Sequence, residues 1–217
     1  MVGFLDRNTD VGVVGPMLLN ADGRSIQLEG ARRLPRPFDT FSEYVRVAAF
    51  LPRSAWTRRH LMPEWDHRDS ADVQCLSGAC LMMRRELFAE VGELDEGYPF
   101  NVEDVDWCHR VGQTRWRIRY LADAKIVHFG RQSIIKNRGV AALGAMQGVY
   151  RYYGKFYGNG MALCVWLLLW PPSVVKMFIW LGVWIVRPSQ RRLARSQAAT
   201  FLAICRLSPW FVRREAA

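Results

Sequence analysis

The chain has 217 residues, enough to bury a real core and about the size of one domain with an appendage. Thirty Lys and Arg against twenty Asp and Glu give a formal charge of +10, which draws the protein to anionic surfaces: nucleic acid, acidic lipid headgroups or phosphorylated substrates. Half of the residues are hydrophobic, but they gather late in the chain, and the five cysteines (Cys75, Cys80, Cys108, Cys164 and Cys205) are scattered, odd in number and without a Cys-x-x-Cys pair, so neither a disulfide framework nor a zinc site is expected. Reduced thiols in a cytoplasmic setting are expected. The N-terminus has no basic segment followed by a long apolar run, so no secretory signal is expected either.

Residues 2–7 read as the end of a helix stopped at Asn8, and residues 11–19 as a buried strand, since they form a short continuous apolar run between polar breaks. Asn20-Ala21-Asp22-Gly23 is a turn, with an extended segment after it to Leu28. The basic, proline-containing stretch 32–37 reads as a loop, residues 40–51 as helical, and residues 52–72 as a long connecting loop of the kind that often carries function. Residues 73–83 read as a strand entering a Ser77-Gly78-Ala79 bend. Residues 85–91 then form a short helix closed by Gly92. A helix over 102–111 places Asp106 and Arg110 four residues apart on one face. Short strands at 117–121 and 125–129 are split by Ala122-Asp123-Ala124, and a helix over about 140–156 follows.

Between residues 161 and 186 only Lys176 is charged, and Pro171-Pro172 divides this run into halves, each shorter than the about 20 residues a crossing needs. Trp166, Trp170, Trp180 and Trp184 favour interfacial helices over a kinked crossing, and a buried helix pair in a soluble core is the third reading. The tail carries Arg187, Arg191, Arg192, Arg195, Arg206, Arg213 and Arg214 with Glu215 as its one acid, a composition suited to the inner leaflet. Nucleic-acid binding is the rival reading of these arginines, but no recognisable nucleic-acid module accompanies them. The chain therefore divides into a domain over 1–157, a membrane-associated apolar helical segment over 158–186 and a basic amphipathic tail over 187–217.

Chemistry-bearing residues concentrate between Ser77 and Ser133. Glu103-Asp104-Val105-Asp106 puts three carboxylates within four residues, where mutual repulsion raises the proton affinity of at least one, the setting for a general base. On a helix Glu103 and Asp106 share a face and Asp104 is free to face a cleft. The plainer reading has these acids decorating a helix N-terminus, with Asp106 paired to Arg110. His128 ends the apolar run Ile126-Val127-His128-Phe129 before Gly130, a position from which it can reach a ligand or a metal, or serve as a hydrogen-bonded structural residue.

The order of these pieces resembles the C-terminal part of family 2 glycosyltransferases of the rhamnosyl- and galactofuranosyl-transferase kind. The resemblance covers roughly 11–133. It runs through Val11-Gly12-Val13-Val14-Gly15-Pro16, the Asp22-Gly23 turn, Arg32-Arg33 and Ser77-Gly78-Ala79-Cys80-Leu81-Met82-Met83-Arg84-Arg85. It continues in Val91-Gly92-Glu93-Leu94-Asp95-Glu96, Glu103-Asp104-Val105-Asp106-Trp107 and Asp123-Ala124-Lys125-Ile126-Val127-His128. It implies an α/β fold, a partial GT-A (nucleotide-diphospho-sugar transferase) fold lacking its N-terminal nucleotide-binding half, with C-terminal apolar helices appended. It also implies that Asp104 deprotonates an acceptor hydroxyl for inverting attack on the sugar's anomeric carbon. Ser77, Gly78, Ala79, Glu103, Asp106 and Trp107 would line the donor and acceptor cleft, and His128 would help hold a divalent metal, Mg²⁺ or Mn²⁺, on the donor's diphosphate.

The partners so implied are a nucleotide-sugar donor, a lipid-linked or polysaccharide acceptor and the cytoplasmic face of the cell membrane, with no nucleic acid. Three departures from the family pattern, Leu94 for an aromatic, Ala122 for a proline and no glycine directly before Trp116, fall at packing positions. The Asp-x-Asp metal motif that the family carries upstream is not in this sequence, and Asp104-Val105-Asp106 sits in the later acidic motif instead. The expectation is an incomplete chain, from a misassigned start or a truncated gene, or a missing half supplied by a partner chain. A non-catalytic membrane-associated accessory or scaffold protein derived from such an enzyme is the alternative.

Overall fold

The computed structural model describes residues 1–51, 55–130 and 138–210. These group into two compact units, one from Met1–Glu96 with Glu103–Gln132, the other from Gly97–Val102 with Ser133–Ala217. The protein is mixed α/β, with its sheets in the first unit and its long helices in the second. The helix expected over about 140–156, within the domain drawn over 1–157, thus groups with the C-terminal residues.

The first unit is built around strand β1 (Val11–Leu19), preceded by the short helix α1 (Val2–Arg7). Eight successive β1 residues are buried, the pattern of a strand covered on both faces. It pairs in parallel with β6 (Arg117–Val127) and antiparallel with β5 (Met82–Met83), while the two-residue β3 (Ala71–Asp72) closes the other edge, giving the order β3-β6-β1-β5. Gly12 is required by close approach, because a Cβ there would lie 2.8 Å from Cβ of Trp116. At Pro16 the ladder slips, its partner jumping from Leu121 to Lys125. A proline has no N–H to donate, and within a sheet it is confined to edges and bulges. The three residues expelled are Ala122, Asp123 and Ala124, so the two short strands expected there are one strand with a bulge, braced where the Ala122 N–H donates to Ser70 Oγ at 3.0 Å.

A second, small sheet pairs β2 (Ala31–Arg32) with β4 (Cys75–Leu76), so the stretch expected to be a loop from residue 32 begins in a strand. Between them lie α2 (Pro37–Val45) and α3 (Val47–Phe50), separated by Arg46 in the left-handed conformation at φ 61°. The stretch read as a connecting loop holds a 3₁₀ segment, Ala55–Leu61, and the edge strand β3; residues 52–54 lie outside the described part. Asp39, buried in α2, accepts from Arg59 Nη2 at 2.6 Å and from its own N-cap amide of Arg36 at 2.8 Å, fixing the 3₁₀ segment to the helix. Helix α4 (Arg85–Val91) ends at Gly92 with φ 72°, and α5 (Glu103–Val111) packs on β4 and β6 through Val105, Trp107, Cys108 and Val111.

The second unit is a hairpin of α6 (Arg138–Val186) and α7 (Arg191–Cys205), joined by a single 3₁₀ turn at Pro188–Gln190. The structure corrects one expectation here: helix α6 continues through Pro171-Pro172, and its one non-helical residue is Gly158, at φ 83° and ψ 168°. The prolines sit where Leu169 and Ser173 are fully buried, and Ser173 Oγ donates to the Leu169 carbonyl at 2.7 Å. Tail residues 211–217, with Arg213, Arg214 and Glu215, and residues 131–137, with Ser133, lie outside the described part.

Candidate functional site

Helix α5 presents the acidic cluster at its first turn, where the exposed amide dipoles favour negative charge. Asp104 is the member that faces the loop after β4. Its carboxylate accepts the Gly78 N–H at 3.1 Å and the Val105 N–H at 2.8 Å, and Arg32 Nη2 donates to both of its oxygens at 3.3 Å. Arg32 in turn is oriented by its Nη1 donating to the Glu29 carbonyl at 2.9 Å. The Arg32 and Asp104 side chains retain 18% and 13% exposure, so the pair sits at the rim of the fold, partly open to solvent. Three segments far apart in sequence, β2, the loop after β4 and α5, thus converge on one carboxylate.

Gly78 lies against Asp104, where a Cβ would come within 3.5 Å of Asp104 Cβ, and Ala79 is exposed beside it. Ser77 accepts the Ala79 N–H on its Oγ at 3.3 Å, which sets the curvature of this loop. Glu103 stands at the same helix end, half-buried; burial, with the neighbouring Asp104 adding to it, pushes its carboxyl above the usual range. One proton affinity in the cluster is thus raised, that of Glu103, and burial raises it more than repulsion does.

Asp106 and Trp107 do not line the cleft expected of them. Asp106 is fully buried and Trp107 is 1% exposed, because both occupy the face of α5 turned to the core. Arg110 Nε donates to Asp106 Oδ2 at 2.9 Å and its Nη2 to the Glu93 carbonyl at 2.7 Å, while its Nη1 donates to the Val91 carbonyl. Trp107 Nε1 donates to the Gly92 carbonyl at 3.0 Å. Together they clamp α5 to the C-terminal end of α4, an architectural duty foreshadowed by the i,i+4 spacing of Asp106 and Arg110. Beneath the site Cys75 and Cys108 are buried free thiols, and the hydrogen bond the Cys108 thiol makes to Cys75, together with burial, pushes the Cys108 thiol up.

His128 is held elsewhere, at the end of β6. Gln27 Nε2 donates to the His128 carbonyl at 2.6 Å and to the Leu19 carbonyl at 3.3 Å, so the amide oxygen of Gln27 is the atom that meets His128 Nδ1, at 3.0 Å. An acceptor facing Nδ1 requires the hydrogen there, which leaves the lone pair on Nε2, the tautomer a metal ligand needs. Among the described residues no group of three His, Cys, Asp or Glu stands together to hold a metal ion, and no hydrogen bond or ion pair joins His128 to Asp104. Among the described residues no set of three ligands thus stands around the imidazole.

The sequence reading missed Arg32 and Gln27 as site residues. Arg32 stands in the Arg32-Arg33 segment of the family resemblance, but with no role attached to it, and its partner is 72 residues away. Gln27 carries no signal of its own.

Comparison with known proteins places the chain near glycosyltransferases. It is 32% identical over 117 residues to the N-acetylglucosaminyl-diphospho-decaprenol L-rhamnosyltransferase of Mycobacterium tuberculosis, in the CDC 1551 / Oshkosh and H37Rv strains alike. The match covers 54% of this chain and spans 37% of the length of those relatives. No family model and no solved structure matches the chain.

Proposed function

We propose that the first unit is the acceptor-side part of an inverting, family 2 glycosyltransferase with a partial GT-A fold, and that it acts on a lipid-linked or cell-envelope glycan at the cytoplasmic face of the membrane. One observation carries the reading: Asp104 alone of the acidic cluster is both rim-exposed and fixed by donors from three segments, the preorganisation a positioned base requires. The similarity to a transferase whose named acceptor is a diphospho-polyprenol supports the choice of reaction and of acceptor class.

In this reading a hydroxyl of the acceptor takes over the position on Asp104 that the long Arg32 contacts now fill, and Asp104 accepts its proton as the oxygen attacks the anomeric carbon from the side opposite the leaving nucleoside diphosphate. Arg32, displaced only locally, stays beside the site as a cation suited to an anionic acceptor. The exposed loop 77–79 lines the cleft, with Glu103 beside it. His128 Nε2 would give one nitrogen to Mg²⁺ or Mn²⁺, which when bound would neutralise the leaving diphosphate; among the described residues no group of three such ligands stands together.

A second reading, a non-catalytic membrane-associated binding protein of the same ancestry, is favoured by Arg32 occupying both oxygens of Asp104. Transfer from a nucleotide-diphospho-sugar to a diphospho-polyprenol-linked acceptor separates the two. Asp104→Asn is expected to lower turnover by at least about 100-fold with the fold retained. Equal turnover in the variant and the parent overturns the base assignment, and no transfer by either favours the binding protein.

A further inference from the structure

We infer that α6 beyond Gly158 and α7 form a hairpin that lies in the plane of one leaflet and docks on anionic phospholipid, rather than crossing the bilayer. The inference deepens the membrane contact named above. It is tested without turnover, so its failure leaves the transferase reading standing.

The two helices run antiparallel along most of α7. Trp166 and Trp170 donate their indole N–H groups to the carbonyls of Leu207 and Cys205 at 2.9 and 3.3 Å, while at the opposite end Arg191 Nε donates to the Trp184 carbonyl at 3.3 Å. Ala194, Ala198 and Ile204 of α7 are buried, and so are Val165 and Leu169 of α6. What remains outside is sorted by polarity. On α6 the outer surface is Leu167, Val175, Phe178, Ile179 and Ile185, each between 56% and 66% exposed, and the most apolar stretch of this helix is only 22% buried, too little for a core helix. The one charge between residues 161 and 186, Lys176, is kept off that surface, its amine 5.6 Å from the ring of Phe201 on α7.

The first turns of α7 are cationic and polar, with Arg191, Arg192, Arg195 and Ser196 all exposed and Arg187 just before them, while Leu193 and Leu202 are its exposed large apolar residues. Arg191 also lies over the Trp184 ring at 5.8 Å, an arginine–tryptophan pairing suited to headgroup depth. A hairpin with an apolar face along α6 and a basic cluster at the start of α7 matches an interface between acyl chains and phosphates.

Crossing fits these helices poorly. Residues 159–186 are long enough at 1.5 Å per residue, but α7, packed along them, reaches only about 22 Å against a hydrocarbon core of about 30 Å. A crossing hairpin with Arg191, Arg192 and Arg195 at one surface would leave Arg206, about 22 Å further along at the C-terminal end of α7, in hydrocarbon, among the costliest groups to place there. Lying flat, the hairpin sets them on lipid phosphates.

The test is depth. In the full chain, with Cys80, Cys164 and Cys205 changed to Ser, a spin label is placed at Leu167→Cys or at Ile185→Cys on phosphatidylcholine vesicles containing about one-third phosphatidylglycerol. These positions are about 27 Å apart along the helix axis. The in-plane hairpin puts both labels below the phosphates at depths within about 5 Å of each other. Depths differing by more than about 20 Å mean a crossing helix and overturn the inference, as do labels whose relaxation is unchanged by vesicles. In parallel, Arg191→Gln, Arg192→Gln and Arg195→Gln together should weaken binding to the anionic vesicles by about 100-fold while leaving binding to pure phosphatidylcholine unchanged. Equal affinity of parent and triple variant for anionic vesicles removes the phospholipid partner.

Discussion

Two carboxylates two residues apart are assigned opposite duties, and Asp106→Asn exposes the difference. The substitution keeps shape and removes charge, leaving the Arg110 guanidinium with neutral acceptors alone, the carbonyls of Val91 and Glu93 and the new amide oxygen, at a position where its side chain is 19% exposed. Breaking a buried pair by neutralising one member costs about 3–5 kcal/mol, and the partial exposure of Arg110 places this case at the lower end, about 3 kcal/mol. With a urea dependence of about 2 kcal/mol per molar, the unfolding midpoint should fall by about 1.5 M. Asp104→Asn removes two long contacts at the rim, so it should cost about 1 kcal/mol and move the midpoint by about 0.5 M. Near-ultraviolet circular dichroism during the titration follows Trp107, whose indole is packed in the same clamp. A midpoint for Asp106→Asn within about 0.3 M of the parent, or a larger loss for Asp104→Asn, refutes the division of labour.

Gly12→Ala drives a methyl group to 2.8 Å from Trp116 Cβ, so it should destabilise by about 1–3 kcal/mol, read as a lower thermal midpoint with an altered Trp spectrum. Glu103 binds its proton more tightly folded than unfolded. Its contribution therefore declines as pH rises above the model-peptide value of 4.5, and Glu103→Gln should gain stability over the parent between pH 4.5 and 8 but not below; a constant difference across that range would remove the assignment. Burial pulls His60, His67 and His109 below the usual imidazole value of 6.5, so the folded state binds fewer protons and the protein should lose stability as pH falls from 6.5. His67→Phe, which keeps the stack on Trp65 at 4.0 Å between centroids, should flatten part of that acid loss in urea titrations.

What was legible in the sequence was legible for local reasons. Val11–Leu19 is an unbroken apolar run between Asp10 and Asn20, and Arg85–Val91 ends on a glycine able to take positive φ, so both elements could be drawn to the residue. The two-residue strands β3 and β5 have no period to read, since their pairing is decided by β6 and β1. Pro171-Pro172 looked like a breaker, yet packing against α7 holds the helix through them, and the true break is a glycine with nothing within 4 Å of its missing Cβ. Asp104 announced itself through its acidic neighbours. Arg32 and Gln27 did not, because each matters only through a partner far along the chain, Asp104 in one case and His128 in the other.

The central strand of the first unit also has a consequence for how the protein is made. β1 leaves the ribosome well before its parallel neighbour β6, which ends at Val127, about a hundred residues and so about 5–20 s of synthesis later. Until then Val11, Val13, Val14, Met17 and Leu18, which end almost wholly enclosed, have no sheet to join. The nascent chain offers an apolar, β-prone segment to any passing chaperone or like segment throughout that interval. Slowing translation between β5 and β6 should lower the soluble yield, whereas slowing it after Val127 should leave the first unit untouched.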